Sequence, residues 1–525
     1  MNLIPALHLT GDHLLGCLCP DRNYLPYWQM TVDAARRAEF EFRPHCTGHN
    51  VGRWWNALLR LETQTGFAIP TAIEAAMLAN TWALCDNPTG ILLEEPDPET
   101  PHSWYIHSYR ETMLALGLLV RYRGSARAHQ QGLRAIAQMR RASQDVACWD
   151  LSQCFPNPAD AATLAGAGGV PTYTHGRAIE GLLCFYAATG EALALEEAER
   201  LADYHFAHTV NHDGSLAPGC GHHTHSYLNT LRGLLELATL QHDRVRLEVL
   251  YATFHRAVAA LLTPSGFVTH DLGDRDARAG GDIASAGDIA HLALLLWEHF
   301  REPALLELAE RLVRCRLLPA QVMAPMPVTP RREAVGDAWS DLPQRFVGAI
   351  GGAVGQVVGQ SCVTDFTAAA VHSLLEVQQR AVVREDHTVR VNFHFDRDLP
   401  GVHTRCERSG NAARLTVRAD AGLDLHIRVP GWTPVDSRQL FVNEQPVPSA
   451  PQESFLQIAS TGRPTEVCLH YALPESYTEE RWVDPGATQA TVRFHWEGDE
   501  IRSVEPLGAY LAPFPKISPS FLRAE

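Results

Sequence analysis

The sequence predicts a multidomain chain, helical first and β afterwards: an (α/α)6 toroid over residues 1–383 followed by a C-terminal antiparallel β-sandwich over residues 384–525. Three observations carry this. The chain has 525 residues, too many for one ordinary core. Up to about residue 380 the apolar residues recur every three or four positions, as in Val51, Trp54, Leu58, Leu61 or Leu228, Leu231, Leu235, Ala238, which puts each set on one helix face. Beyond residue 385 the period changes to two, the mark of half-buried strands.

Taken in order, six apolar helical segments each open on polar residues. They begin at His49 (HNVGRWWNALLRLETQTG), His107 (HSYRETMLALGLLVRY), His175 (HGRAIEGLLCFYAATG), His225 (HSYLNTLRGLLELATL), Gly287 (GDIAHLALLLWEHF) and Asp365 (DFTAAAVHSLLEVQQ). The intervals leave room for one return helix and its loops each time. Gly66 and Gly190 close two of the helices in QTG and ATG turns. Six inner and six return helices describe the toroid; an open α-solenoid, the rival, has shorter and more regular repeats. The strands follow at Val389–Phe395, Leu423–Val429, Val467–Tyr471 and Val492–Trp496, where apolar residues alternate with residues such as Arg390, His426 and Arg428.

Composition narrows the function. An apolar content of 46% and a charged content of 20% describe a globular protein, and a net charge of −16 argues against nucleic acid or an anionic membrane as partner. No apolar run is long enough to span a bilayer, and the N-terminus lacks the basic segment of a secretory signal. Twelve cysteines are scattered, several, like Cys184, on apolar helix faces, which suits reduced thiols and a cytoplasmic location. No CxxC pair exists, and the CLC at 17–19 has the wrong spacing for a zinc knuckle.

The inner helices of a toroid run parallel, so their N-termini meet at one rim, where unpaired N–H groups and the positive dipole ends collect. His49, His107, His175, His225, Asp288 and Asp365 are thereby expected around one bowl. The stretch CGHHTHSYLNTLRGLLELA adds His223 just before its helix, as a helix cap, a metal ligand or part of a polar ring; recurrence of the pattern favours the ring. Aromatic residues near the same ends (Trp54, Trp55, Trp104, Tyr105, Tyr173, Trp339) offer flat faces for sugar C–H groups, with Trp104 and Trp339 in loops and Trp54 and Trp55 equally readable as core. Glycosidic cleavage needs two carboxyls, one of them protonated. The segment THDLGDRDARAGGDIASAGDIAH is the richest source: Asp288, favoured as an anion by the helix dipole, is the expected base, and Asp282 or Asp274 the acid. Any one of these loop aspartates can instead be a turn former. Glu111 and Glu180, one turn inside their helices, are further candidates or partners of the histidines.

Four passages also carry a resemblance. HSYRETMLALGLLVRYRG, THGRAIEGLLCFYAATGEALALEEAERLADY, GHHTHSYLNTLRGLLELA, and LDLHIRVPGW followed by LFVNEQPV together resemble the bacterial β-L-arabinofuranosidases. The resemblance implies an (α/α)6 barrel with β-sandwich domains, and in that family a zinc ion held by a Glu-x-Cys motif and a Cys-Cys pair, one cysteine being the nucleophile. Here those positions correspond to Ala286-Gly287-Asp288 and Cys362-Val363, so one thiol of three remains and the glutamate is gone. A four-coordinate zinc with those ligands cannot form; no cofactor is expected, the one other zinc set weighed being His223, His225, Asp288 and Cys362. The expectation is a bacterial glycoside hydrolase acting on short oligosaccharides or glycosides by carboxylate acid–base chemistry. His49, Trp104, His107, His175, His223, His225, Trp339 and Asp365 would bind a small carbohydrate. The alternatives are a lyase or sugar epimerase, with Arg53, Arg110 or Arg177 on a substrate carboxylate, and a non-catalytic sugar binder. The sugar, the anomeric outcome and assembly into a homodimer stay open.

Overall fold

In a computed structural model the chain is described over residues 1–33, 37–43, 46–93, 106–147, 149, 171–272, 283–325, 328–331, 336–351, 359–449, 454–483 and 489–505. Six inner helices form a closed ring in chain order: α2 (Thr47–Thr65), α4 (Tyr109–Arg123), α6 (Ala178–Thr189), α8 (Thr224–Leu240), α10 (Ile283–Phe300) and α12 (Thr364–Ala381), with α12 packed back on α2. Around them lie α3 (Thr71–Cys85), α5 (Ala126–Ala142), α7 (Ala192–His208), α9 (Arg244–Thr253) and α11 (Pro303–Leu312), each following its inner helix. The sixth outer helix comes first in the chain: α1 (Ile4–Gly16) packs against α12 and α2 and seals the ring. Inner helices are buried almost all round, whereas outer ones are buried on one stripe. Gly66, Gly124 and Gly190 end three inner helices in the left-handed conformation.

The inner helices approach closely at small residues. A Cβ on Gly52 of α2 would lie 2.6 Å from the Cβ of Glu111 and 2.7 Å from its carbonyl oxygen on α4. Gly52→Ala is expected to cost about 1–3 kcal/mol, because it pushes apart two helices that carry site residues; a urea-denaturation midpoint equal to wild type would contradict this.

The helical reading of the first 380 residues needs one correction. Strands β1 (Gln29–Asp33) and β2 (Arg37–Glu41) form a small sheet with β3 (Gly359–Val363) and Thr329–Pro330, directly before α2 and α12. Its core of Tyr27, Met30, Phe40, Val322 and Phe346 is separate from that of the toroid. The β1 and β2 segments are too short for a period of two to stand out against the helical pattern around them.

The C-terminal sandwich begins immediately after α12. A six-stranded sheet runs in the order Gln445–Val447, Gln439–Val442, Thr465–Ala472, Ala412–Ala419, Val402–Ser409, Arg397–Leu399. It faces a four-stranded sheet ordered Phe455–Ile458, Asp424–Arg428, Thr388–Val391, Val382–Glu385. Val389, Val391, Leu415, Val417, Leu425, Ile427, Val467 and Leu469 fill the space between them. Two details differ from a purely antiparallel sandwich. Asp424–Ile427 pairs parallel with Thr388–Val391, and a third sheet (Glu475–Val483, Gln489–Glu497, Glu500–Glu505) packs Val492, Phe494 and Trp496 against Phe267 and Cys315 of the helical body. The HIRVPGW passage lies at the junction between toroid and sandwich. Arg428 is buried there against Glu310 of α11, and the Gly431 N–H donates to Glu307 at 2.8 Å. Arg314 completes the junction by donating to the His394 carbonyl at 2.6 Å.

Candidate active site

Each inner helix brings charged or polar side chains to the axis within its first two or three turns, at helical spacing. These are His49 and Arg53 on α2, Arg110 and Glu111 on α4, Arg177 and Glu180 on α6, His225, Asn229 and Arg232 on α8, Asp288 on α10, and Asp365 on α12. All of the charged ones are buried. Seven of them close a ring: Arg53–Glu111 (3.1 Å), Glu111–Arg110 (2.6 Å), Arg110–Glu180 (2.8 Å), Glu180–Arg232 (2.5 Å), Arg232–Asp288 (2.6 Å), Asp288–His225 (2.6 Å) and His225–Arg53 (2.7 Å). Arg177 adds a 2.8 Å contact to Glu111. Buried charges are tolerated only in such compensation.

The ring fixes protonation. Burial would raise the Glu111 carboxyl, yet Arg177, His49, Arg53 and Arg110 hold it well below the usual range. Against the same effect of burial, His225 and Arg232 hold Asp288 down at about 2. Burial lowers His225 to about 4, over the opposing pull of Asp288, so its imidazole is neutral at pH 7. In the tautomer that fits both neighbours, its Nδ1–H donates to Asp288 Oδ2 and its Nε2 accepts from Arg53.

Above the charged ring lies an arc of flat side chains. Trp28, His49, His107, Tyr173, His223 and His270 follow one another in ring-to-ring contact. The His49–His107 and His107–Tyr173 pairs are stacked, at 4.7 and 4.2 Å between centroids. His107, Tyr173, His223 and His270 are partly exposed. Burial, and then Arg177, keeps His107 well below its ordinary pKa; burial with His270 and His225 does the same for His223. His223 is also the N-cap of α8, accepting from the Ser226 N–H at 3.4 Å.

The expected residues sort as follows. His49, His107, His223, His225, Asp288 and Asp365 do come together. His175 does not join them: its ring stacks on Trp149 and its Nδ1 meets His205 Nε2 of outer helix α7 at 3.1 Å. The reason is local, since residues two apart in a helical turn face different ways, and the wide π turn Thr172–Gly176 presents Tyr173 and Arg177 to the bowl instead. Trp339 packs on the small sheet beside Ala338. Trp54 and Trp55 are fully buried core, the Trp55 indole donating to Thr81 at 2.8 Å. Asp288 differs from a free base in that His225 and Asn229 occupy one carboxylate oxygen and Arg232 the other. Asp271 is exposed at the rim beside His270. Trp104, Asp274 and Asp282 lie outside the described residues. Sequence reasoning missed Arg232, Trp28 and His270; the available signal was an arginine on a helix face otherwise made of leucines, LNTLRGLLEL.

By sequence, no family model and no curated protein matches. By structure, a β-L-arabinofuranosidase of family GH127 from Geobacillus stearothermophilus T6 superposes with a TM-score of 0.55 at 13% identity, covering 86% of this chain and 76% of that one. A second GH127 β-arabinofuranosidase gives 0.56 at 12% identity, covering 95% and 81%. The fold is that of the GH127 β-L-arabinofuranosidases. A sugar epimerase from a ruminal bacterium also superposes, with a TM-score of 0.50 at 11% identity, over 73% of this chain and all of that one.

The zinc implied by the GH127 resemblance does not fit the residues present. Ala286 and Gly287 carry no donor, and a Cβ on Gly287 would stand 2.7 Å from Ser373 Oγ, so this face of α10 is packed against α12. Asp288 is engaged on both oxygens. Among the described residues no three His, Cys, Asp or Glu side chains converge as a metal site.

Proposed function

We propose that the protein is a carbohydrate-active enzyme, a glycoside hydrolase acting on short oligosaccharides or glycosides at the rim of the toroid. One observation carries the reading: the N-terminal turns of all six inner helices meet beneath an arc of imidazole and phenol rings, over a layer of buried, compensated charge. Flat apolar faces interleaved with hydrogen-bonding groups suit sugar C–H faces and hydroxyls. The charged ring crosses the toroid axis, which suits a blind pocket holding a chain end more than a groove holding a polymer. Asp274 and Asp282 remain the proposed acid candidates, and Asp288 is proposed as a group that orients His225. Buried free thiols such as Cys85 and Cys315 support a reducing, cytoplasmic setting, and no described helix is long and apolar enough to cross a membrane. A panel of 4-nitrophenyl glycosides, run with and without a chelator, tests the reading. Release of nitrophenol that survives chelation is expected; no release from any member tells against hydrolysis.

A second reading is proton transfer at a sugar carbon, as in an epimerase. What favours it is that the arc presents a partly exposed imidazole held neutral by burial, His223, whose Nδ1 is engaged by Ser226, rather than a carboxyl. Deuterium entering a recovered reducing sugar from D2O, without bond cleavage, would identify it.

A further inference from the structure

Asp365 is a carboxylate of the bowl that lies outside the charged ring. It is 3% exposed and sits at the second position of α12, where the dipole favours an anion. Its Oδ2 meets His49 Nε2 at 3.0 Å, while its Oδ1 is buried without a hydrogen-bond partner. Such an atom in a native interior calls for a partner, and an attacking water is one that fits a carboxylate oxygen. Its surroundings place it on the axis: Arg53 and His225 act on it, and it acts in turn on Tyr173 and Arg177, residues from three other helices. On its other side His49 Nδ1 lies 3.4 Å from Glu111 Oε2 without a hydrogen bond, and its ring is stacked on His107. Glu111, His49 and Asp365 therefore form a row that ends on an open carboxylate oxygen, whereas both oxygens of Asp288 are taken.

We infer that Asp365 is the catalytic base of this site, oriented by His49 as a positioning residue. The inference rests on the hydrolase reading above. In the step, water forms its O–C bond to the anomeric carbon while the glycosidic C–O bond breaks and its electron pair leaves with the departing oxygen. The proton of the attacking water passes to Asp365 Oδ1. With a 4-nitrophenyl glycoside the leaving group departs as the phenolate and needs no proton; with a natural glycoside the acid of the site supplies one. A base of this kind contributes roughly 10²–10⁴-fold.

The test uses the full chain and whichever 4-nitrophenyl glycoside the wild type cleaves. Asp365→Asn should lower kcat by about 10³-fold while a competing product sugar still binds within about threefold of wild type; Asp365→Glu, which keeps the carboxylate, should retain more activity than the amide. His49 meets Asp365 Oδ2 at 3.0 Å, so at pH 7 His49→Ala should lower kcat by about tenfold while KM stays within about threefold of wild type, and His49→Gln, which keeps a polar group beside that oxygen, should recover part of the loss. Activity of the Asp365→Asn variant above a tenth of wild type, or an unchanged kcat in His49→Ala, would overturn the assignment while leaving the hydrolase reading intact. A wild type that cleaves no glycoside of the panel would overturn both.

Discussion

Acidification from pH 7 to pH 5 is expected to cost the protein several kcal/mol and to bring it close to global unfolding. Burial lowers His13, His225, His372 and His394 from the ordinary 6.5 to about 4, and His205 to about 3. Each is neutral when folded and cationic when unfolded below pH 6.5. The stability each contributes is complete above 6.5 and drains as pH falls towards its folded value. At about 1.4 kcal/mol per pKa unit, each loses on the order of 2 kcal/mol between pH 6.5 and pH 5, and five together rival the roughly 5–15 kcal/mol of net stability a folded protein possesses. The carboxylates act later: Asp288 and Glu310, held at about 2, lose their contribution only as pH falls from about 4 towards 2. Guanidinium midpoints measured by circular dichroism at pH 7.5, 6.5, 5.5 and 5.0 check this. A midpoint that stays constant down to pH 5 would mean that these imidazoles are already charged in the native state.

Replacing Arg232 by Met is expected to be the most damaging single change in the charged ring. Among the described residues Arg232 alone bridges Glu180 and Asp288, at 2.5 and 2.6 Å, and is 2% exposed. Its loss leaves two buried carboxylates under-compensated, at a cost of about 3–5 kcal/mol. Arg232→Lys keeps the charge but has no fork to span both partners, so it should fall between. Adding Glu180→Gln to Arg232→Met should recover part of the loss, because one of the stranded charges is then gone. Urea unfolding of these three variants and of Glu180→Gln alone measures these differences. Additive losses in the double variant would show that the ring is not an energetic unit.

The fold was largely legible because its signal is long-range and repetitive: six polar helix openings and a switch from a period of three or four to one of two. The convergence of His49, His107, His225, Asp288 and Asp365 followed from helix direction alone. What could not be read was which way a side chain turns within the first helical turn. His175 sits two residues from both Tyr173 and Arg177, and only the π turn decides that those two face the bowl. Nor does a sequence show that the arginines of four inner helices answer carboxylates on their neighbours: Arg110 and Glu111 are adjacent in the chain, but Arg53 and Asp288 join one circuit only through the closed toroid. The strands at Gln29–Asp33 and Gly359–Val363 pair across most of the chain's length, beyond the reach of any local pattern.

The charged circuit also has a consequence for how the chain is made. Its first member is Arg53 and its last Asp288, so a polypeptide emerging vectorially from the ribosome holds Arg53, Arg110, Arg177, Arg232, Glu111 and Glu180 with no finished interior to receive them until α10 has emerged. Partial toroids ending before Asp288 set four guanidinium groups against two carboxylates, and that excess of positive charge favours keeping the helix openings wet. Full docking of the inner helices is therefore expected as a late, cooperative event that awaits α10.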